Sequence, residues 1–303
     1  MAYPLVGILV LNWNNYRDTK ECLDSLSKVR DVDHRIYIVD NNSNDGSIEK
    51  LGKEFPHHIY IKNRENLGFA GGNNVGIKQA LAEGADYILL LNNDTEVNPD
   101  FLSILVHEIE NDPKIGAVGP KIYYHDNPKT IWFAGGKINP ITGQTCHIGI
   151  NKKDQGQYET PREVDFITGC AFFIRAEVLN KIGLFDNDYF YSYEDVDLSF
   201  RIRDAGYKLV FVPRSVVYHK FARALGGRFS PVYIYYRVRN SLLFDIKNKQ
   251  PKIHFIFHLF FMPIKHVVYG ALTGNFKGVR AALRGLADFL AGKYGKGSVP
   301  ACR

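Results

Sequence analysis

The 303-residue sequence predicts an α/β fold whose central sheet is parallel and covered on both faces. Three observations carry that reading. Short apolar runs alternate with segments of helical periodicity through the first hundred residues, the apolar runs stop abruptly at Asn or Asp, and the connections between them are short. Strands that alternate with helices pair in parallel, and ligands bind where such strands end.

The elements follow in order. Residues 6–11 read as the first strand, and residues 18–29 place Cys22, Leu23, Leu26 and Val29 at helical spacing. Residues 35–40 form a second strand, and the turn cluster 41–46 leads to a helix over 47–55. Strand 59–62, helix 73–83 and strand 87–91 come next, and Asn98 with Pro99 supplies an N-cap and a first-turn proline for a helix to about Asn111. The middle third changes character: 115–124, 130–138 and 144–150 are strand-like, with 139–143 as a hairpin turn. Residues 151–163 are polar and turn-rich, which predicts a mobile loop over the site. Residues 166–174 are apolar, 194–205 form an acidic-headed helix, and 209–217 form a last strand ending at His219.

Charge is unevenly distributed. The chain carries a net +6, yet residues 201–303 hold 19 Lys and Arg against 3 Asp and Glu, so the first two hundred residues are net acidic. A basic end on an acidic body points to contact with a polyanionic surface. Residues 252–270 are aromatic and apolar but interrupted by His, Lys and Pro. They read as a helix lying in an anionic membrane interface rather than spanning it, or as a helix packed on the body. Cys22, Cys146, Cys170 and Cys302 form no C-x-x-C pair, which fits reduced thiols in a cytoplasmic protein better than disulfides or zinc. The N-terminus runs straight into a strand, and no secretory signal is expected.

Several constellations carry chemistry. Asp94 closes the run Leu89-Leu90-Leu91-Asn92-Asn93-Asp94, where a carboxylate either binds Mg2+ or Mn2+ beside a diphosphate or caps a turn. The segment from Asn66 through Gly68, Gly71 and Gly72 to Asn73 is a glycine-rich turn opening a helix, suited to a phosphate or ribose. It lacks the G-x-G-x-x-G pattern, and no glycine follows the first strand, so a dinucleotide site is excluded. Asp40-Asn41-Asn42 ends the second strand as either a base or ribose reader or ordinary turn chemistry, and His219 is either a metal ligand or a satisfied surface or core histidine. Glu194 and Asp197 share a helix face and Asp195 lies about 100° round from Glu194. The helix dipole lowers the Asp195 pKa, whereas desolvation by Tyr189, Tyr191 and Tyr193 raises it.

The order of these motifs resembles glycosyltransferase family 2. The stretches are Val6 to Asn15, Ile38 to Ser47, Asn66 to Asn74, Leu89 to Asp94, Thr168 to Arg175 and Glu194 to Asp197, and the chain is most similar to the bacterial rhamnosyltransferase-like branch. The tail Tyr235-Tyr236-Arg237-Val238-Arg239-Asn240 is typical of that branch too. The resemblance implies a GT-A fold: a Rossmann-like nucleotide-binding half (1–98) fused to an acceptor half (99–220) with a mixed central sheet, followed by a basic helical extension (221–303). It implies that Asn12, Asn14, Asp40 and Asn42 hold the nucleoside, with Asp40 at the base. Asn66, Gly68, Asn73, Asn93 and Gly169 would line the ribose–diphosphate path, Asp94 and His219 would hold a divalent cation (Mn2+ or Mg2+), and Asp195 would be the general base of an inverting transfer, with Glu194 and Asp197 on the acceptor side. The departure is Asn92 in place of the first Asp of the family's D-x-D motif. The implied substrates are a UDP- or dTDP-sugar, dTDP-rhamnose among them, and a glycan or glycolipid hydroxyl. The implied place is peripheral on the cytoplasmic membrane face. A homodimer is left open, and nucleic acid is not an expected partner. A sugar nucleotidyltransferase, which would carry a glycine- and basic-rich loop after the first strand, and a non-catalytic nucleotide-sugar-binding protein are the competing readings.

Overall fold

The computed structural model describes residues 4–220 and 230–297; Cys302 lies outside them. The chain alternates β1 (Val6–Asn12), α1 (Tyr16–Leu26), β2 (His34–Asp40), α2 (Ser47–Glu54), β3 (Ile59–Lys62), α3 (Gly68–Ala82) and β4 (Tyr87–Asn92). Then come β5 (Thr95–Val97), α4 (Phe101–Glu110), β6 (Ile115–Tyr124), β7 (Asn127–Phe133), β8 (Gly136–Ile138), β9 (Thr145–His147), β10 (Arg162–Glu163) and β11 (Ala171–Arg175). The last elements are α5 (Ala176–Ile182), a 3-10 turn at Asn187–Tyr189, α6 (Glu194–Asp204), β12 (Lys208–His219), α7 (Pro231–Lys247), α8 (Lys252–Thr273) and α9 (Phe276–Leu290).

One mixed sheet organises the body, in the order β10-β12-β6-β11-β4-β1-β2-β3. β1 is parallel to β2 and β4, and β2 to β3, while β11 runs antiparallel between β4 and β6. Register brings the carboxyl ends of the parallel strands level, with Asn12 beside Asp40, Asp40 beside Lys62 and Leu11 beside Asn92. Both faces of the sheet are buried, as near-continuous apolar strands require. Val6, Ile8 and Val10 join the layer holding Cys22, Leu23 and Leu26 of α1, and Leu9 faces Ala70, Ile77 and Ala80 of α3.

Four local differences from the sequence reading have physical causes. Helix α3 starts five residues before Asn73, so the glycines lie inside it. A Cβ on Gly72 would sit 2.6 Å from Leu11, and one on Gly76 2.8 Å from Val39, so these glycines let α3 press on β1 and β2. Asn98 is not the cap of α4; Asp100 precedes the helix, and the Phe101 N–H donates to the Asn98 carbonyl at 3.1 Å. The stretch read as one strand over 130–138 splits into β7 and β8, and β8–β9 form the small hairpin. Residues 151–163 are tethered rather than loose. Buried Lys121 donates to Asp154 at 2.9 Å and to Glu159 at 2.5 Å, the Tyr123 hydroxyl donates to Asp154, and Thr130 bridges Lys153.

The C-terminal helices lie against the body through α7, whose Phe244 packs on Tyr193 and Phe200. Helix α8 inverts the usual surface-helix pattern. His254, His258, Met262, Pro263 and His266 face inward, whereas Ile253, Ile256, Phe260, Phe261, Ile264, Val268 and Leu272 are exposed. Among the described residues it is the one helix long and apolar enough, by length and composition, to cross a membrane.

Candidate active site

The strand ends assemble an amide-rich floor. Asn12 is fully buried; its side-chain nitrogen donates to Asp40 at 3.0 Å and to Ser47 at 2.8 Å, and its oxygen accepts from the Thr19 hydroxyl at 2.8 Å. Asp40, also buried, accepts from the Ser43 N–H at 3.0 Å. Asn14 and Asn42 take left-handed conformations (φ 50° and 64°), which Asn tolerates better than most residues, and Asn42 is exposed at the rim. The Asn14 oxygen accepts from the Asn44 N–H, and the half-buried Asn66 oxygen accepts from the Gly68 N–H and from Asn41. Asn73 is buried and donates to the Phe69 carbonyl at 2.9 Å, and Asn93 donates to Thr19 at 2.8 Å. The first donors of α3 are already spent, the Gly68 N–H on Asn66 and the Phe69 N–H on the Phe190 carbonyl at 2.7 Å.

Asp94 and His219 meet because β5 pairs antiparallel with the end of β12, setting Thr95 opposite His219, and because the Lys220 N–H donates to the Asp94 carbonyl at 2.9 Å. His219 Nε2 lies 3.1 Å from Asp94 Oδ1, and both residues are buried. Burial pushes the Asp94 carboxyl up, but the charge and hydrogen bond of His219 outweigh it and hold the group below its ordinary value. Burial would push His219 down; Cys170 and Asp94 beside it reverse the sign and hold it well above the usual histidine range. Because burial also raises the Cys170 thiol, the negative partner at neutral pH is Asp94. Trp132 meets the His219 ring edge-on at 4.6 Å. Lys220 is fully buried beneath this pair, beside Glu96 at 3.1 Å, Asp18 at 3.7 Å and Glu21.

Asp195 approaches the same place from α6. One of its oxygens accepts from the Gly169 N–H at 2.9 Å and the other from the Val196 N–H at 2.8 Å. Gly169 is needed for that approach, since a Cβ there would meet the Phe69 ring at 2.9 Å. Burial raises the Asp195 carboxyl, and the backbone N–H groups and Arg237 only partly offset this, so desolvation prevails over the helix terminus. Glu194 is buried with its Oε2 unpaired. Burial, then the adjacent Asp195 charge, pushes it well above the ordinary carboxylate range, which favours the proton on Glu194 over Asp195. The Gly169 N–H reaches Asp195 and, one residue on, the Cys170 carbonyl accepts from the Asn92 N–H at 2.9 Å, two residues before Asp94, so both carboxylates stand beside the same segment at the strand ends.

Asp197 behaves differently from its neighbours. It accepts from Tyr189 at 3.1 Å, Asn248 at 2.8 Å and Arg201 at 2.8 Å, and those bonds tie α6 to the 3-10 turn and to α7. The sequence reading gave Arg237 and Cys170 no role in the chemistry and did not single out Lys220. Arg237 lies 5.4 Å over the Tyr193 ring, donates to Thr145 at 2.9 Å and has Asp195 among the charges that stabilise it. The tail motif contains Arg237; nothing in the local sequence marks Lys220, whose ion-pair partners come from two distant elements, α1 and β5.

As a cation site, Asp94 and His219 supply one oxygen and one nitrogen. Among the described residues no group of three or more His, Cys, Asp or Glu is disposed to hold a metal. Two protein donors suit a divalent ion that completes its shell with diphosphate oxygens and water.

The fold and this strand-end site define a nucleotide-sugar transferase of the GT-A class. Residues 8–183, more than half of the chain, match the model for Glycosyl transferase family 2, and the chain belongs to that family. Among curated relatives, the N-acetylglucosaminyl-diphospho-decaprenol L-rhamnosyltransferase of Mycobacterium tuberculosis is 25% identical over 224 residues, 67% of this chain and 72% of the relative. The Poly-beta-1,6-N-acetyl-D-glucosamine synthase of Staphylococcus aureus is 29% identical over 219 residues, 70% of this chain but only 50% of the synthase. Solved structures share the fold. GalNAc-T7 with UDP, GalNAc and Mn2+ aligns with a TM-score of 0.63 at 18% identity, over 89% of this chain and 57% of that one. The mannosyltransferase PcManGT of Pyrobaculum calidifontis with GDP-Man and Mn2+ aligns at 0.58 and 18%, over 99% and 78%.

Proposed function

We propose that this chain is an inverting glycosyltransferase of cell-surface glycan synthesis that moves a sugar from a UDP- or dTDP-sugar, dTDP-rhamnose first among them, to a hydroxyl of a lipid-linked glycan. The observation that carries the reading is the meeting, at the sheet's carboxyl edge, of the buried Asp94–His219 pair with the segment Gly169–Cys170, whose Gly169 N–H holds Asp195 and whose Cys170 carbonyl accepts from the Asn92 N–H. Asp195 removes the acceptor hydroxyl proton; that oxygen bonds to the anomeric carbon as the carbon–diphosphate bond breaks from the opposite side, and the nucleoside diphosphate leaves with the electron pair. Asp94 and His219 would hold a divalent cation, which when bound neutralises charge on the departing diphosphate. Burial gives Asp195 a basicity above that of an ordinary carboxylate, which favours proton removal. Asn14, Asn42 and Asn66 suit contact with the nucleoside; Asn12 and Asn73, spent on protein partners, hold Asp40 and α3 in place.

The same reading puts the C-terminal helices on an anionic membrane surface, near a lipid-linked acceptor. Support comes from the exposed apolar row of α8, from Phe276, Leu283 and Leu290 on α9, and from exposed Lys252, Lys265, Lys277, Arg280 and Lys293 around them. Flotation with phosphatidylglycerol-containing vesicles, but not with neutral ones, supports this placement, and Phe260→Glu with Phe261→Glu abolishes it; equal flotation of that double variant contradicts it.

The transfer itself is tested with a panel of UDP-, dTDP- and GDP-sugars, first by thermal shift with Mn2+ and then by NMR of the glycan formed. The reading requires an anomeric configuration opposite to that of the donor; retention overturns it.

A further inference from the structure

The tail motif ending in Asn240 carries an inference that rests on the reading of Asp195 as base. Asn240 is fully buried on α7, and its one side-chain nitrogen lies within hydrogen-bond distance of three carbonyls: Tyr189 at 2.8 Å, Tyr191 at 2.9 Å and Ser192 at 2.8 Å. An amide has two hydrogens, so at least one is shared. Its oxygen accepts from Arg239 Nε at 2.9 Å, which fixes which end of the amide faces the carbonyls.

Those carbonyls belong to a turn the backbone would not adopt unaided. Phe190, Ser192 and Tyr193 all have positive φ (54°, 67° and 76°), three side-chain-bearing left-handed residues within four positions. Each such residue is strained and persists only where the surroundings over-determine it. Three carbonyl dipoles aimed at one point repel each other unless a donor sits there, and Asn240 is that donor. The turn also reaches the nucleotide side, because the Phe190 carbonyl accepts from the Phe69 N–H at the start of α3. Tyr193 then leads directly into Glu194 and Asp195.

We propose that Asn240 is a positioning residue for sugar transfer: it gathers the left-handed turn 189–193 and so fixes where α6 presents Asp195 to the acceptor. It touches no reactant; it acts through the backbone. A donor that merely filled a core position would affect stability alone.

The experiment compares Asn240→Ala with Leu51→Ala, a buried position on α2, and with Asp195→Asn. Each is assayed for kcat, for calorimetric affinity to UDP or dTDP (whichever the wild-type chain binds), and for the acid limb of the pH–kcat profile, below all melting transitions. Asn240→Ala is expected to lose about 10²-fold in kcat, the scale of a misplaced catalytic group, with nucleotide affinity within about threefold. Its acid limb moves to lower pH, because a loosened turn lets water reach Asp195. Leu51→Ala loses stability but keeps kcat and the limb. The proposal is overturned if Asn240→Ala keeps kcat within about threefold, or if its loss tracks the folded fraction as it does in Leu51→Ala. Should Asn240→Ala fail to fold, Asn240→Ser, which retains one donor, decides by the same readouts. Turnover that survives in Asp195→Asn instead removes the base reading itself.

Discussion

Lys220→Met is the sharpest test of how the Asp94–His219 corner is held. The ammonium is fully buried, with Glu96 at 3.1 Å, Asp18 at 3.7 Å and Glu21 in contact. Met keeps most of the stem's packing volume but removes the charge, leaving three carboxylates facing one another. Breaking a buried pair by removing one partner costs about 3–5 kcal/mol. Here the figure must be discounted, because Glu21 and Glu96 are 36% and 37% exposed and can be rehydrated, whereas Asp18 is only 7% exposed. About 2–3 kcal/mol remains, and in a chain of this size that lowers the melting temperature by roughly 3–5 °C. The deficit should narrow toward pH 4, because Lys220 holds the Glu21 carboxyl below its ordinary value in the wild-type fold and that contribution fades as Glu21 takes up a proton. Thermal melts of both proteins from pH 4 to 8 read it out. A change below about 1 °C at pH 7 would refute the argument that this lysine neutralises the corner.

Two further predictions concern the acidic head of α6. The acid limb of kcat should lie above the ordinary Asp value of about 3.9, because burial raises Asp195, and activity is lost as pH falls through that raised value; a limb at or below 3.9 contradicts the desolvation argument. Glu194→Gln should keep kcat within about threefold, since Gln copies the protonated acid. A carboxyl whose folded pKa is raised costs stability as pH rises above its unfolded value of about 4.3, at up to 1.36 kcal/mol per pH unit, until the folded pKa is passed. The gain in melting temperature from Glu194→Gln should therefore be larger at pH 7.5 than at pH 4.5, and the opposite trend would show Glu194 ionised in the fold.

Much of this was legible in the sequence because the relevant signals are local. The strands end where Asn12, Asp40 and Asn92 interrupt apolar runs, and register then aligns those ends. The acidic start of α6 was legible for the same reason. What was not legible depends on distant partners. The glycines of α3 looked like a ligand-facing loop, yet they are set by the closeness of Leu11 and Val39. The segment 151–163 looked loose because its polar residues find their cation, Lys121, on another strand. Asp197, paired with Glu194 by helical spacing, is consumed by Arg201, Tyr189 and Asn248. In α8 the composition was readable but its orientation was not: the histidines turn inward, with His258 Nδ1 2.6 Å from buried Asp245, and that commits the phenylalanines to the outside.

The central claim is that Asp195 and the Asp94–His219 pair serve one reacting carbon in separable roles. Paired measurement of turnover and of Mn2+-dependent nucleotide binding in Asp195→Asn and Asp94→Ala addresses it most directly. Asp195→Asn should lose about 10³-fold in kcat while binding nucleotide like the wild-type chain, and Asp94→Ala should lose the Mn2+-dependent part of that binding. Transfer that persists without Asp195, or nucleotide binding indifferent to Asp94 and Mn2+, would contradict the account.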